Sequence, residues 1–166
     1  ADLRRATTAI FYSISNTQPG LKGVSFGDSL IKRVVETLRT EFPRLKVFAT
    51  LSPMPGFRNW LSRHVDRLLQ LTPLKARDEL ARSLGTQPLT AQAVVAALES
   101  VPALEPKSPL RHWLLQCGAQ YLGREMADGK PLDAVARFHL GNRARVERLN
   151  WAADPSAKGI RQSCGL

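Results

Sequence analysis

Apolar and polar residues near the start of the chain follow patterns that predict a helix between two strands. Residues 28–42 carry apolar side chains on one helical face and charged side chains on the other, and Pro43 ends the helix. The apolar positions are Leu30, Ile31, Val34, Val35, Leu38 and Phe42. Runs at 9–15 and 45–51 read as strands, and the second is apolar on both faces, which is typical of a strand buried within a sheet.

Helical spacing continues through the middle of the chain. Helices are predicted over 57–71, 75–84, 90–98 and 110–126. A last helix is predicted to begin near Pro131, with Asp133 in its first turn, and to end at Phe138 and His139. A further strand is predicted over 144–151 and a turn at 154–156.

These elements predict an α/β (α+β) fold class with a mixed sheet. The 166 residues are enough for one domain with a sizeable core. Residues 57–137 contain neither a repeat nor a chemical motif, so we interpret them as a helical insertion. The predicted organisation is a strand-loop-helix-strand core over 1–56, the insertion, and a return to the sheet over 138–166.

The loop between the first strand and the first helix is rich in glycine. Gly20, Gly23 and Gly27 fall within eight positions, and Asp28 follows as a helix-capping residue. Backbone N–H groups at such a helix start can receive a phosphate. The loop matches neither the triphosphate loop nor the dinucleotide fingerprint, so its spacing leaves open a phosphate site and an ordinary tight connection.

Two further residues lie at the ends of predicted elements. Ser52 follows the second strand, where open α/β sheets bind ligands, although the residues alone favour a turn residue that opens the bend at Pro53. His139 lies at a helix end and suits proton transfer near neutral pH, although a lone histidine is more often structural. The residues alone therefore establish no catalytic role for either.

Several stretches of the chain resemble the malonyl-CoA decarboxylase family, in the order in which the family has them. They are the run 11–24 (FYSISNTQPGLKGV), Ser29 to Val35, 51–57 (LSPMPGF), 138–142 (FHLGN), 150–154 (NWAAD), and Gly159 with 163–166 (SCGL). The resemblance implies an acetyltransferase-like (GNAT) fold. It also implies that Ser52 and His139 are the two catalytic residues.

The resemblance further implies the substrate and its binding site. Malonyl-CoA is converted to acetyl-CoA and CO2 without a metal or other cofactor, since coenzyme A is part of the substrate. The expected substrate-binding residues are Gly20, Lys22, Gly23, Val24, Ser25, Phe26, Gly27 and Asp28, together with Ser52 and His139. One departure is Arg143, which follows Asn142 where the family has glycine.

Charge and cysteine content restrict the partners. The net charge is +10, but basic residues are spread over helices and do not alternate with aromatic ones, so nucleic acid is not the expected partner. Some of this charge, with Lys22 best placed, suits the anionic coenzyme A. No apolar run approaches membrane-spanning length, and Cys117 and Cys164 read as reduced thiols.

The resemblance also shapes what we expect of the whole protein. The chain opens directly into a strand, and we expect it to begin inside a longer protein whose preceding helical domain forms a homo-oligomer. The expected compartment is the bacterial cytoplasm, with the mitochondrial matrix or peroxisome for a eukaryotic member. Two other classes stay open: a GNAT-type N-acetyltransferase, and a non-catalytic basic binding module.

Overall fold

The computed structural model describes residues 3–12, 26–103 and 105–166, and side chains at 26–29 and 102–103 lie outside that description. The chain forms two compact units, Ala1–Ser52 and Pro53–Leu166. Both contain helices and short strands, so the chain is a mixed α/β protein that is mostly helical. The predicted three-part division stays a prediction.

The first unit is a strand-helix-strand arrangement. A short 3-10 helix (Leu3–Arg5) precedes β1 (Thr8–Tyr12), α1 (Phe26–Glu41) and β2 (Val47–Leu51). The two strands pair in parallel, with Thr8 opposite Val47 and Tyr12 opposite Leu51. Parallel neighbours require a crossover such as the one that contains α1. The predicted order of strand, helix and strand is therefore confirmed, and α1 begins two residues before the predicted residue 28. Residues 13–15 of the predicted first strand lie outside the described residues.

The expectation that the second strand is buried on both faces is wrong for the described residues. Val47 is 52% exposed and Leu51 is 50% exposed. Successive side chains of a strand point to opposite faces of the sheet, and Val47 and Leu51 share a face that the described residues leave half-exposed. On the other face, the ring of Phe48 lies 6.5 Å from that of Phe11 on β1.

The second unit is built from six α-helices, a 3-10 helix and one small hairpin in the residues that the structure describes. The elements are α2 (Phe57–Leu71), α3 (Leu74–Leu84), α4 (Ala91–Ala97) with a 3-10 helix (Leu98–Ala103), α5 (Pro109–Gly123), β3 (Met126–Ala127), β4 (Lys130–Pro131), α6 (Ala134–Gly141) and α7 (Ala157–Ser163). Their apolar faces form one core. Among residues 3–12, 26–103 and 105–166, no helix has the length and apolar character needed to cross a membrane.

Several of these helices begin and end where the sequence predicts. The six apolar positions of α2 are all buried: Phe57, Trp60, Leu61, Val65, Leu68 and Leu69. Gly85 ends α3 in the left-handed conformation, with φ 64°. The Thr90 side chain accepts a hydrogen bond from the backbone N–H of Ala93 and so caps α4. Local sequence signals determine these helix ends.

A hairpin corrects two predicted boundaries. Asp128 and Gly129 have positive φ angles of 52° and 71°, and they form the turn between β3 and β4. Such an Asp-Gly pair favours a tight hairpin turn, which the helical interpretation of 110–126 overlooked. Helix α5 therefore ends at Gly123. Pro131 lies in β4, so α6 begins only at Ala134 and Asp133 is its N-cap.

The predicted strand over 144–151 is also wrong. Residues 144–150 have no regular secondary structure and pair with no strand in the described part of the chain. A strand needs a hydrogen-bonded neighbour, which a local apolar pattern cannot supply. The sequence analysis also missed α7, whose N-cap is Ser156. Cys117 and Cys164 are buried free thiols, as predicted.

Candidate active site

Ser52 lies immediately after β2, at the end of the first unit. Its side chain is exposed, and the Ser52 hydroxyl donates a hydrogen bond to Oγ1 of Thr50 over 3.1 Å. Pro53 follows and favours extended backbone at Ser52. The serine is thus presented at the carboxyl end of a parallel strand, as the sequence predicted.

His139 lies in the last turn of α6, in the second unit. Its side chain is half-buried, and this burial lowers the pKa of its imidazole. The ring meets the ring of Phe138 edge to face, with centroids 5.1 Å apart. His139 therefore packs against an aromatic ring in an environment that disfavours its protonated form.

The Phe-His-x-x-Asn stretch closes the C-terminal end of α6. The side-chain amide of Asn142 donates to the carbonyl oxygen of Phe138 over 3.0 Å, and the backbone N–H of Asn142 donates to that of His139 over 3.0 Å. The backbone N–H of Ala144 also donates to the His139 carbonyl oxygen, over 3.1 Å. Asn142 thus satisfies helix-end carbonyl groups that would otherwise lack partners.

Arg143 adopts the left-handed conformation, with φ 64°. Its backbone N–H donates to the carbonyl oxygen of Leu140 over 3.1 Å, which completes the turn after α6. Glycine takes this conformation without a Cβ penalty, whereas arginine does not. The departure noted in the sequence therefore falls on a position whose backbone favours glycine.

The N-terminal end of α6 is capped by a buried carboxylate. Oδ1 of Asp133 accepts hydrogen bonds from the backbone N–H groups of Val135 and Ala136, over 3.0 and 2.9 Å. Oδ2 accepts one from the hydroxyl of Tyr121 over 3.1 Å. Burial, followed by the nearby charge of Asp133, raises the pKa of Tyr121, so its hydroxyl stays protonated.

Gly56, in the loop that follows Ser52, lies against the same tyrosine. A Cβ atom at residue 56 would lie 2.6 Å from the Tyr121 hydroxyl oxygen, closer than such atoms approach each other. Only glycine therefore leaves room for the tyrosine as it stands. Sequence reasoning missed Tyr121 and gave Asp133 no role beyond the first turn of α6. An aspartate just before a helical stretch is the signal that identifies the cap.

The C-terminal stretch forms a compact turn around another glycine. A Cβ atom at Gly159 would lie 2.3 Å from the backbone oxygen of Asp154. The hydroxyl of Ser163 lies 3.0 Å from the carbonyl oxygen of Gly159 and 2.9 Å from that of Leu166. Close packing of Gly159 against Asp154, and of Ser163 against the last residues, therefore explains why this motif has glycine at 159 and serine at 163.

The predicted coenzyme A loop falls largely outside the described residues, which exclude Gly20, Lys22, Gly23, Val24 and Ser25. Phe26, Gly27 and Asp28 form the first turn of α1, of which only the backbone is described. Ser52 and His139 lie in different units, each described by itself. Within 3–12, 26–103 and 105–166, no three His, Cys, Asp or Glu side chains gather as a metal site.

Two solved structures resemble this fold. The crystal structure of malonyl-CoA decarboxylase from Cupriavidus metallidurans is 48% identical, with a TM-score of 0.79 over 98% of this chain and 41% of that one. The enzyme from Rhodopseudomonas palustris is 43% identical, with a TM-score of 0.68 over 98% of this chain and 35% of that one. The chain therefore shares its fold with part of two solved malonyl-CoA decarboxylases.

Curated relatives and a family model also match this chain. The mitochondrial malonyl-CoA decarboxylases of Anser anser anser and Mus musculus are 39% and 41% identical over 99% and 98% of this chain. Residues 1–166 match the family described as the malonyl-CoA decarboxylase C-terminal domain. The chain belongs to this family. It spans about a third of the length of these curated relatives, 34% in each case.

Proposed function

We propose that the protein containing this chain is a malonyl-CoA decarboxylase, a carboxy-lyase that converts malonyl-CoA to acetyl-CoA and CO2. The observation that carries the proposal is the family match over all of residues 1–166. Within it, Ser52 and His139 occupy the two motif positions whose residues the resemblance identifies as catalytic. The end of β2 and the C-terminal turn of α6 present these side chains.

The reaction sets two demands on the site. The bond between the α-carbon and the carboxylate breaks, CO2 leaves, and the electron pair forms an enolate whose charge rests mainly on the thioester oxygen. Preorganised donors must stabilise that oxygen, and an acid must deliver a proton to the α-carbon. We assign proton delivery to His139. Ser52 is its hydrogen-bonding partner or proton acceptor in the same relay.

The environment of His139 supports this assignment. Partial burial lowers its pKa, which makes the imidazolium a stronger acid once it has formed. The ring of Phe138 packs against the imidazole, with centroids 5.1 Å apart, and contributes to that burial.

Coenzyme A is assigned to the loop that precedes α1, in a GNAT-like fold. The residues are Gly20, Lys22, Gly23, Val24, Ser25, Phe26, Gly27 and Asp28. Supporting this proposal, α1 begins at Phe26, so the backbone N–H groups of its first turn, which have no partner within the helix, follow Gly20 and Gly23 in the chain. The parallel pairing of β1 with β2 around α1 is also the arrangement that such a site needs.

The remaining expectations concern the whole protein. We propose that malonyl-CoA is its small-molecule partner, that no metal or separate cofactor takes part, and that the protein forms a homo-oligomer. We also propose the bacterial cytoplasm as its compartment, because two solved neighbours are from bacteria. The curated relatives are named as mitochondrial, which supports the matrix for a eukaryotic member.

The test is formation of acetyl-CoA and CO2 from malonyl-CoA by the full-length protein. We expect Ser52→Ala and His139→Ala to lose most activity while still binding coenzyme A. The matched controls are Ser62→Ala and His112→Ala, which alter exposed residues on α2 and α5 and should leave the rate unchanged. Coenzyme A binding without CO2 release would overturn the proposal and favour an N-acetyltransferase.

A further inference from the structure

Two buried polar groups of the second unit have no role in the reaction as proposed. The Asp133 carboxylate is 2% exposed and Tyr121 is 3% exposed. A buried carboxylate is costly unless every oxygen has a partner. Here both Asp133 oxygens are satisfied, one by the backbone of α6 and the other by the Tyr121 hydroxyl. The pair therefore connects α6 to the core.

The core holds the tyrosine in one place. Its ring packs against the rings of Phe57 and Trp60, with centroids 5.6 and 5.1 Å away. Its hydroxyl is fitted against Gly56, where no Cβ atom is tolerated. Tyr121 thus presents a donor at a fixed point, because its ring cannot turn without displacing these neighbours.

Helix α6 buries little of its own surface. Besides the cap, the Arg137 side chain donates hydrogen bonds to the carbonyl oxygens of Pro131 and Leu132. Every one of its eight residues is described, and among them only Ala136 is buried. A helix this short is unstable by itself and depends on its cap and its packing. His139 follows Asp133 by six residues, which is about 9 Å along a helix axis. A small tilt at the cap therefore becomes a displacement of the imidazole.

We propose that Tyr121 and Asp133 form a positioning pair that anchors α6 and thereby sets the place of His139 in the reaction. This inference rests on the proposed function of His139. Neither residue touches the reacting atoms in this account. They act through the orientation of the helix, and a misplacement of about 1 Å can cost a reaction about 100-fold in rate.

Two single substitutions remove the hydrogen bond between Tyr121 and Asp133 while residue 133 still caps α6. Tyr121→Phe removes the hydroxyl and leaves Asp133 to cap the helix. Asp133→Ser retains a favourable N-cap residue, but its shorter side chain cannot reach Tyr121. The control is Thr90→Ala, which removes the equivalent cap from α4. It carries the stability loss of a removed helix cap without involving α6.

In the full-length protein, we expect Tyr121→Phe and Asp133→Ser each to lower kcat for CO2 release about 10- to 100-fold, with KM changed less than about twofold. The double variant should be no slower than the slower single variant, since each single substitution already removes the same hydrogen bond. Thr90→Ala should keep the wild-type kcat. Wild-type kcat in either single variant, or fully additive losses, would overturn the proposal.

A second readout is independent of catalysis. Carbethoxylation of individual histidines by diethyl pyrocarbonate, followed by peptide mapping, reports how accessible each imidazole is. We expect the rate at His139 to rise severalfold in Tyr121→Phe and in Asp133→Ser, and the rate at the exposed His112 to stay the same. An unchanged rate at His139 would overturn the proposal.

The two readouts also separate this inference from the proposed function. If the wild-type protein releases no CO2 but His139 reacts faster in both variants, the pair anchors α6 and the decarboxylase assignment is wrong. If the wild type is active and neither variant changes kcat or the His139 rate, the decarboxylase assignment is upheld and the positioning role is wrong.

Discussion

The hydroxyl oxygen of Tyr121 lies so close to Gly56 that a Cβ atom at residue 56 would stand 2.6 Å from it. Gly56 belongs to the loop that follows Ser52, and Tyr121 donates to Asp133, the cap of the helix that carries His139. Gly56, from the motif that contains Ser52, is thus packed against Tyr121, which is hydrogen-bonded to the cap of the helix that carries His139. The contact lies within the second unit.

This contact predicts the effect of a methyl group at residue 56. Gly56→Ala should lower the free energy of unfolding by about 1–3 kcal/mol, because the buried hydroxyl must move off Asp133. In the Tyr121→Phe background the nearest remaining ring atom is 3.7 Å away, an ordinary contact, so the same substitution should cost much less. Urea denaturation of the four proteins measures the difference. Equal costs in both backgrounds would show that the hydroxyl is not the obstacle.

Gly159→Ala should be more damaging, because the obstacle is backbone. Its Cβ atom would lie 2.3 Å from the carbonyl oxygen of Asp154, which cannot move aside as a side chain can. We expect a loss of about 3 kcal/mol or more, seen as a lower midpoint in thermal or urea unfolding.

Gly123→Ala is the matched control for Gly159→Ala. A Cβ atom at Gly123 would meet nothing within 4 Å, and the residue ends α5. Alanine should therefore be neutral or stabilising by about 0.5–1 kcal/mol. Similar destabilisation by both substitutions would contradict the explanation from close contact.

Arg143→Gly should stabilise the turn after α6. The left-handed conformation at φ 64° costs a residue with a Cβ atom about 1 kcal/mol, which glycine avoids, although glycine loses more entropy on folding. We expect a net gain of about 0.5 kcal/mol in the free energy of unfolding. Arg143→Ala removes the same charge but keeps the Cβ atom, so it should show no gain. If alanine stabilises as much as glycine, the charge and not the backbone is responsible.

Glu125 predicts a dependence of stability on pH. Partial burial by itself would raise its pKa, but hydrogen bonds from Gln120, Arg67 and Trp60 outweigh this and lower it. The shortest is the ion pair with Arg67, at 2.8 Å. The pKa of Glu125 is therefore lower in the folded protein than in the unfolded chain. Ionised Glu125 stabilises the fold fully above the unfolded pKa of about 4.3, and this contribution is lost as the pH falls through the folded-state pKa.

The variant that tests this is Glu125→Gln. Its deficit in free energy of unfolding should be largest near neutral pH and should shrink on acidification, as measured by denaturant unfolding at a series of pH values. Glu147→Gln is the control, since Glu147 is 74% exposed in its pair with Arg145 and should contribute little at any pH. A deficit that is constant with pH would mean that Glu125 acts by packing and not by its charge.

Local patterns in the sequence identified most of the helices and several of their ends. The helical spacing of α2 identified all six of its buried residues, and Gly85 and Thr90 marked a helix end and a helix start correctly. Each of these signals involves residues within one or two turns, so it is present in the sequence itself. The order of the family motifs likewise identified Ser52 and His139 as candidates.

Only the tertiary structure showed how the motif around His139 is supported. Tyr121 and Asp133 are twelve residues apart and meet across a hairpin that the sequence analysis overlooked, and Gly56 reaches the same tyrosine from still farther along the chain. The strand predicted over 144–151 failed for the same physical reason. A helix satisfies its backbone within itself, whereas a strand, a buried carboxylate or a close contact needs a partner that local sequence does not specify.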